Sequence, residues 1–316
     1  MTQASYAHRR SLGAPYSADF IVILEAPAAS EPRPPAHKQT VSGAKLGWNE
    51  GKNFIWEERY ANYRDELLPE LAADLVRLDV NVIVTVGTQA PLVAKQATAR
   101  IPIVIYNAGD AVELGLAASL ARPGGNITGL SWMFLGLSAK RLQFLTEMLP
   151  SATRLSLLYE QHNRMSELAR KEAEEVGRRL GIHVESVAVR HPAEIETALE
   201  SIRRQQPDAL MVVESTLLFR QRVRIIEFAA ANRIPGMYQI REFADAGGLI
   251  TYGPSFAWTL ALLVGYIDKI LRGAKPADPP IEQPTKVDLV INLNTAKALG
   301  LSIPRSLLLR ADDVIQ

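Results

Sequence analysis

Short apolar runs alternate with helical patterns along most of this chain, and that alternation constrains the fold more than any other feature. Asn81 to Val86 and Ile101 to Tyr106 are rich in Val and Ile, as expected of strands buried on both faces of a sheet. Between such runs, apolar residues recur at helical spacing, as in Glu167 to Leu180, and Val112 to Leu120 is predicted as a short helix. A repeated strand–helix order predicts parallel sheets covered by helices on both faces.

The alternation runs twice, over roughly Asp19–Gly125 and Asn126–Gly248, and each run has the size of one domain. We therefore predict an α/β fold with two doubly wound, Rossmann-like lobes. Polar groups follow several predicted strands, and Asn107-Ala108-Gly109-Asp110 is the clearest case. Open α/β sheets bind their ligands at the carboxyl ends of the strands, so these turns are candidate site positions.

Composition excludes several classes of protein. The 35 Lys and Arg residues nearly balance the 34 Asp and Glu residues, which gives no electrostatic support for nucleic acid or an anionic membrane as partner. The absence of cysteine excludes disulfides and thiolate chemistry. No apolar run reaches the roughly 18 residues of a membrane-spanning helix. The first 17 residues are irregular and contain Arg9-Arg10 without a following apolar segment, so we predict no clear export signal there.

The motifs that would indicate an enzyme are incomplete. No predicted strand leads into a G-x-G-x-x-G turn, and Gly129-Leu130-Ser131 lacks the closing glycine of a nucleophile elbow. The histidines are scattered at positions 8, 37, 162, 183 and 191, without a metal-binding or catalytic spacing. The sequence therefore favours binding over catalysis, and we predict no cofactor and no metal.

Six blocks of the chain carry a family resemblance. In chain order they are Ala72–Val84 with Gly87-Thr88, Lys95–Val104, Ser119–Leu130, Arg241–Pro254, Tyr266–Pro276 and Gln283–Leu301. Over Asp19 to Ile315 the chain resembles the substrate-binding proteins of ABC transporters, in the family that includes the tryptophan/tyrosine-binding proteins. The resemblance implies a type I periplasmic binding protein fold, in which two lobes close on a ligand by hinge motion.

The resemblance also implies where the lobes divide. The N-terminal lobe would comprise residues 18–126 and about 250–284, and the C-terminal lobe residues 127–249 and about 285–316. Asn126–Ser131 and Leu249–Gly253 would be crossovers between the lobes, and a third would lie before Val287.

This chain departs from the family pattern at the ends of predicted strands. The family's Gly-Thr-Pro is Gly87-Thr88-Gln89 here, and its Gly-Asp-Pro-Val-Gly is Gly109-Asp110-Ala111-Val112-Glu113. Glu160-Gln161-His162-Asn163 replaces an Asn-Pro turn, and Glu214-Ser215-Thr216 replaces Pro-Asp-Pro. Because ligands bind at these ends, the changes bear on ligand identity more than on the fold.

A zwitterionic amino acid needs donors for its carboxylate, an acceptor for its ammonium group and apolar walls for its side chain. Thr88, Gln89 and Ser131 are candidate donors. Asp110 and Glu214 are candidate ammonium partners, and for each the alternative is an acid that stabilises a helix N-terminus. The remaining candidates are Ser215, which also suits a helix cap, and the aromatic residues Tyr159, Tyr238, Tyr252 and Trp132, each of which suits core or hinge packing as well.

We expect a monomeric, non-catalytic solute-binding protein that delivers a small molecule, an amino acid and in particular an aromatic one, to an ABC permease with its ATPase. The resemblance implies a periplasmic location, whereas the missing export signal leaves a cytoplasmic one as the alternative. An intracellular small-molecule sensor with the same lobes is the alternative function, and an enzyme with two Rossmann-like lobes is the third.

Overall fold

The computed structural model describes residues 19–25, 46–49, 52–61, 64–132, 136–213, 215–283 and 286–316, with the backbone alone for 19–25, 256 and 257. The strands are β1 (Asp19–Glu25), β2 (Phe54–Tyr60), β3 (Val82–Val86), β4 (Ile103–Ala108), β5 (Ile127–Ser131), β6 (Arg154–Glu160), β7 (His183–Val189), β8 (Ala209–Val212), β9 (Gly236–Tyr238), β10 (Ile250–Pro254), β11 (Val287–Asn292) and β12 (Asp313–Ile315).

Helices connect most of these strands. The α-helices are α1 (Leu68–Arg77), α2 (Gln89–Ala97), α3 (Leu137–Met148), α4 (Arg164–Leu180), α5 (Ile195–Gln205), α6 (Thr216–Arg220), α7 (Arg222–Ala231), α8 (Arg241–Asp245), α9 (Phe256–Leu271), α10 (Leu293–Leu299) and α11 (Arg305–Leu308). Single 3-10 turns occur at Asp65–Leu67 and Pro192–Glu194. Within the described segments, no helix combines the length and apolar character needed to cross a bilayer.

The first sheet has the order β2-β1-β3-β4-β5, and its described pairs are all parallel. Alternate residues of its strands face opposite sides, so Ile83 and Ile103 join a core with α1 and α2. Val84 and Val104 join a second core with α9 on the other face. The continuous apolar strands of the sequence are thus explained by burial on both faces.

The second sheet has the order β12-β11-β10-β9-β8-β6-β7. It is parallel apart from the β10–β11 pair. Two further cores cover its faces, one with α5 and α7 and the other with α3, α4 and α10. The predicted α/β fold with two doubly wound lobes is confirmed.

The chain passes between the sheets after β5, after β10 and before β11. The predicted boundaries at 126/127 and 249/250 fall before β5 and β10, whereas β5 pairs with β4 and β10 pairs with β9 and β11. Each strand first satisfies its backbone hydrogen bonds within its own sheet, and the chain leaves afterwards. We therefore propose lobes of residues 19–131 with 256–283 and of residues 137–254 with 287–316.

Two of the passages run side by side at the β5 edge of the first sheet. Glu282 forms a parallel bridge with Leu130, in which Ser131 N donates to Glu282 O at 3.0 Å. A Cβ on Gly129 would overlap the Ile105 carbonyl oxygen, and its φ of +124° lies where side chains are strained, so only glycine lets β5 approach β4 this closely.

Two local predictions need correction. No helix forms at Val112–Leu120, because the segment is a series of turns in which the Leu116 and Ala117 N–H groups donate to Ala111 O. The residues Ser138 to Leu149 predict a helix with Ser138 as its N-cap. In the structure, α3 begins at Leu137 after Gly136, so Ser138 lies inside the first turn.

Candidate functional site

The carboxyl ends of the strands from the two sheets face each other across a cleft between the lobes. Two polar contacts bridge it. Gln89 Nε2 donates to the His162 carbonyl oxygen at 3.3 Å, and Arg164 Nη2 pairs with Glu113 Oε1 at 3.1 Å. The lobes therefore touch, and the conformation is a closed one.

Two glycines allow this close approach. A Cβ on Gly109 of the first lobe would overlap the Met165 side chain at the start of α4, and a Cβ on Gly87 would lie 3.3 Å from Thr216 Oγ1. Gly87 also has a φ of +82°. Both glycines belong to the turns that depart from the family pattern, so these turns set how near the lobes come.

The predicted donors have different surroundings. Thr88 is buried immediately before α2, without a side-chain cap hydrogen bond. Ser131 is fully buried, and its Oγ donates to Gly109 O at 2.8 Å and accepts from Ala111 N at 3.2 Å. The Ser131 hydroxyl is therefore engaged in fixing the turn after β4. Gln89 is engaged by the second lobe, as described above.

Of the two predicted acids, Asp110 lies among the described residues and Glu214 does not. Asp110 Oδ1 accepts from the N–H groups of Val112 at 2.9 Å and Glu113 at 3.0 Å, so it stabilises a turn rather than a helix N-terminus. Glu214 lies outside the described residues. The cap suggested for Ser215 is present, because its Oγ accepts from Leu218 N at 3.2 Å at the start of α6.

The predicted aromatic walls lie in cores. Tyr238 is stacked on Phe243 with ring centroids 4.8 Å apart, and its hydroxyl lies back beside Gly236, away from the carboxyl end of β9. Tyr159 packs with the α3–α4 side of the second sheet beneath the Arg170 guanidinium. Tyr252 meets Phe144 edge-on at 4.9 Å. Because large rings fill the space between sheet and helices, we leave these three tyrosines out of the proposed site.

Trp132 lies where the chain leaves β5. It is almost completely buried and packs with Met165 and Leu217 in a core of the second lobe. The ring therefore joins the crossover to the far side of the cleft, in agreement with the hinge-packing alternative.

Asn107 is a candidate site residue in a turn that the sequence analysis selected without giving this side chain a role. A bulge between Ile105 and Ala108 interrupts the β4–β5 register, and Asn107 has a φ of +56° within it. Bulges redirect a side chain out of the strand alternation, and Asn tolerates this left-handed conformation. The residue is 8% exposed, and Asn107 Oδ1 has no partner among the described residues. The only sequence signal was an amide at the end of a buried strand.

Gln239 is the corresponding residue of the second lobe. It directly follows β9, is 1% exposed, and its Nε2 finds no partner in the described part of the chain. Gly253 of β10 lies against the Gln239 backbone, where a Cβ would overlap the carbonyl oxygen. A buried amide without a partner costs about 1–3 kcal/mol, which a ligand acceptor would recover.

Glu160 ends β6 and lies close to the start of α6. Asn163 Nδ2 donates to Glu160 Oε2 at 3.4 Å, and the Ser215 hydroxyl also hydrogen-bonds its carboxylate. Burial is the main cause that raises its pKa to about 7, and the charge of Asp65 in the first lobe adds to this rise. The sequence analysis treated this turn only as a departure from the family.

Together these groups suit a small polar molecule. Asn107 of the first lobe and Gln239 of the second each have a buried amide atom without a partner in the described chain, and Glu160 has no paired cation there. All three lie at or just after the carboxyl ends of strands, where open α/β sheets bind ligands. In the described residues, no group of three or more His, Asp or Glu side chains could hold a metal ion.

Two α/β lobes of this topology, joined by three passages and closed over polar groups, define a bilobal ligand-binding protein with the type I periplasmic binding protein fold. A family model described as "ABC transporter substrate binding protein" matches residues 23–315, and the chain belongs to that family. The predicted family is therefore confirmed, and it is a family of solute-binding proteins.

Individual relatives agree with this assignment. The chain is 24% identical to a "Tyrosine-binding protein" of Clostridioides difficile over 256 residues, 81% of this chain and 73% of the relative. It is similar to the ABC domain from Streptococcus pneumoniae solved in complex with L-Trp, with a TM-score of 0.83, 21% identity and coverage of 95% of this chain and 100% of that one. A conserved domain protein from Vibrio cholerae has the same TM-score and identity, over 94% of this chain and 100% of that one.

Proposed function

We propose that this protein is the solute-binding component of an ABC import system and that it binds an amino acid in the cleft. The observation that carries the proposal is the pair of buried, unpartnered amides, Asn107 from the first lobe and Gln239 from the second. One free acceptor and one free donor, on opposite sides of a closed cleft, match a ligand that carries both an ammonium group and a carboxylate.

The relatives support the ligand class and the partners. One is named a tyrosine-binding protein and another was solved with L-Trp, so aromatic amino acids are the first candidates for this chain. Membership of the family supports delivery to a membrane permease with its ATPase, and an extracytoplasmic location. Ligand binding would favour the closed state, because a ligand can contact both lobes at once only when they are closed.

Isothermal titration calorimetry against the common amino acids, sugars and small carboxylates tests the proposal. We expect one amino acid, or a small group of them, to bind. Gln239→Leu should weaken binding roughly tenfold or more, because the ligand carboxylate loses a donor. Asn107→Gly keeps the left-handed backbone and removes the amide, and it should weaken binding similarly.

Gln143→Leu, at an exposed position of α3, is the matched control and should bind as the wild type does. Circular dichroism melts would verify that each variant folds. Binding to sugars alone, or full affinity in both folded amide variants, would overturn the proposal.

A further inference from the structure

We propose that Glu160, facing Asp65 of the opposite lobe, anchors a cationic ammonium group of the ligand, so that the cleft selects amino acids over the corresponding acids without an amino group. The inference rests on the proposed function and names the residue that determines ligand charge.

Glu160 has no cationic partner within the described residues. Glu113, by contrast, pairs across the lobes with Arg164 at 3.1 Å. Among the described residues, the groups that hydrogen-bond Glu160 are the neutral side chains of Asn163 and Ser215. A desolvated carboxylate without a cation is costly, and it is the feature expected where a ligand supplies the missing positive charge.

The carboxylate is held in position rather than free to turn away. Asn163 caps α4 through its side-chain oxygen, which accepts from Met165 N and Ser166 N, while its Nδ2 donates to Glu160. Ser215 caps α6 and also hydrogen-bonds Glu160. Two helix caps, one after β6 and one after β8, therefore position the same acid.

The first lobe brings a second negative charge to this point. Asp65 opens the 3-10 turn that precedes α1, and its charge disfavours ionisation of Glu160. Burial and the neighbouring Glu66 in turn raise the pKa of Asp65. Closure of the lobes brings these two acids into mutual repulsion, and an ammonium group between them would convert that repulsion into attraction.

Asn107 supplies independent support. Its Oδ1 is a buried acceptor for which the described chain offers no donor, and it lies two residues before the Gly109 contact with Met165 of α4. An ammonium group has three N–H donors and no acceptor. The carboxylates of Glu160 and Asp65 and the amide oxygen of Asn107 are all acceptors, which matches an ammonium group in kind.

The test compares three probes by calorimetry: L-tyrosine or L-tryptophan, the same molecule without its amino group, and the same molecule without its carboxylate. If another amino acid binds best in the first screen, that amino acid and its analogues replace them. We expect the analogue without the amino group to bind roughly 10- to 100-fold more weakly than the amino acid, as for loss of a charged hydrogen bond.

Glu160→Gln should weaken binding of the amino acid by a similar factor. The affinity for the analogue without an amino group should stay almost unchanged. Asp65→Asn should weaken binding of the amino acid only a few-fold, because Asp65 is more exposed than Glu160. Glu175→Gln, an exposed position of α4, is the control and should retain wild-type affinity. A final titration of the wild type with calcium chloride alone tests whether these oxygen acceptors bind that cation instead.

The outcomes separate this inference from the proposed function. If the wild type binds an amino acid but folded Glu160→Gln binds it equally well, Glu160 is not the anchor and the proposed function stands. Equal binding of the analogue without the amino group, or binding of calcium in place of the amino acid, would overturn the inference in the same way. If the wild type binds no amino acid, the proposed function itself fails.

Discussion

Two glutamates of the same cleft, Glu113 and Glu160, have opposite electrostatic surroundings. Glu113 lies at the rim, where it pairs with Arg164 across the lobes, and the two side chains are 34% and 59% exposed. Glu160 lies further in, fixed by neutral caps and faced by another acid. Exposed pairs of the first kind contribute about 0.2–1 kcal/mol. The comparison shows that the Glu113–Arg164 pair at the rim stabilises closure only weakly. Glu160 in the interior instead carries a charge that a cationic ligand group could neutralise.

The largest expected effect is a change with pH in the ratio of closed to open protein, measured without ligand. In the closed state the pKa of Glu160 is raised to about 7 from an ordinary 4.5, so the closed state binds more protons than an open state in which this acid is hydrated. Lowering the pH therefore favours closure, and raising it through 7 favours opening. The ratio of closed to open protein should fall by about tenfold per pH unit between about pH 4.5 and pH 7 and level off above that, where Glu160 is ionised in both states.

Small-angle X-ray scattering would follow this transition as an increase in the radius of gyration between pH 5 and pH 9. Glu160→Gln should remain compact throughout, and a saturating amino acid should restore compactness at high pH. A radius that does not change with pH in the wild type would contradict the expected role of Glu160 in the interior.

The next effect tests the contact between the lobes at Gly109. Gly109→Ala places a methyl group against Met165, and overpacking of this kind costs about 1–3 kcal/mol. Because the lobes must close around the ligand, this cost reduces the binding free energy by the same amount. Affinity should therefore fall roughly 5- to 150-fold while each lobe stays folded. Calorimetry would measure the loss.

The double variant Gly109→Ala with Met165→Ala provides the control for the Gly109 contact. Removing the Met165 side chain makes room for the new methyl group, so part of the affinity should return. Equal affinity in Gly109→Ala and the wild type would show that closure does not depend on this contact.

The smallest effect is expected at the rim. Glu113→Gln removes the charge that pairs with Arg164, and affinity should change by less than about fivefold because the pair is exposed. The change should shrink further in high salt, which screens surface charges. A loss as large as that of Glu160→Gln would erase the distinction between rim and interior.

The architecture could be predicted from local patterns. Apolar β-branched runs such as Ile101 to Tyr106 form strands buried on both faces, and amphipathic runs such as Glu167 to Leu180 form the covering helices. The candidate turns were also found, because polar residues after a parallel strand always lie at the same edge of the sheet.

The individual site residues were harder to predict. Tyr159 and Tyr238 were reasonable aromatic walls by type, yet their rings pack into cores because side-chain direction depends on strand register. The turn beginning at Asn107 was a candidate, but the Asn107 side chain was given no role because no short sequence pattern encodes the bulge that contains it. Asp110 was a candidate ammonium partner, but its carboxylate stabilises its own turn.

By itself the sequence determined the alternating elements, the two lobes and the edges at which a ligand would bind, since these follow from residue-by-residue periodicity. Only the tertiary structure decided which charges remain uncompensated. Glu113 and Glu160 are the same residue type in similar turns, and their difference arises from groups distant in the chain: Arg164 for one, Asp65 and Ser215 for the other. Electrostatic surroundings are set by folding, because neighbours in space contribute the charges and exclude the water that fix a side chain's ionisation.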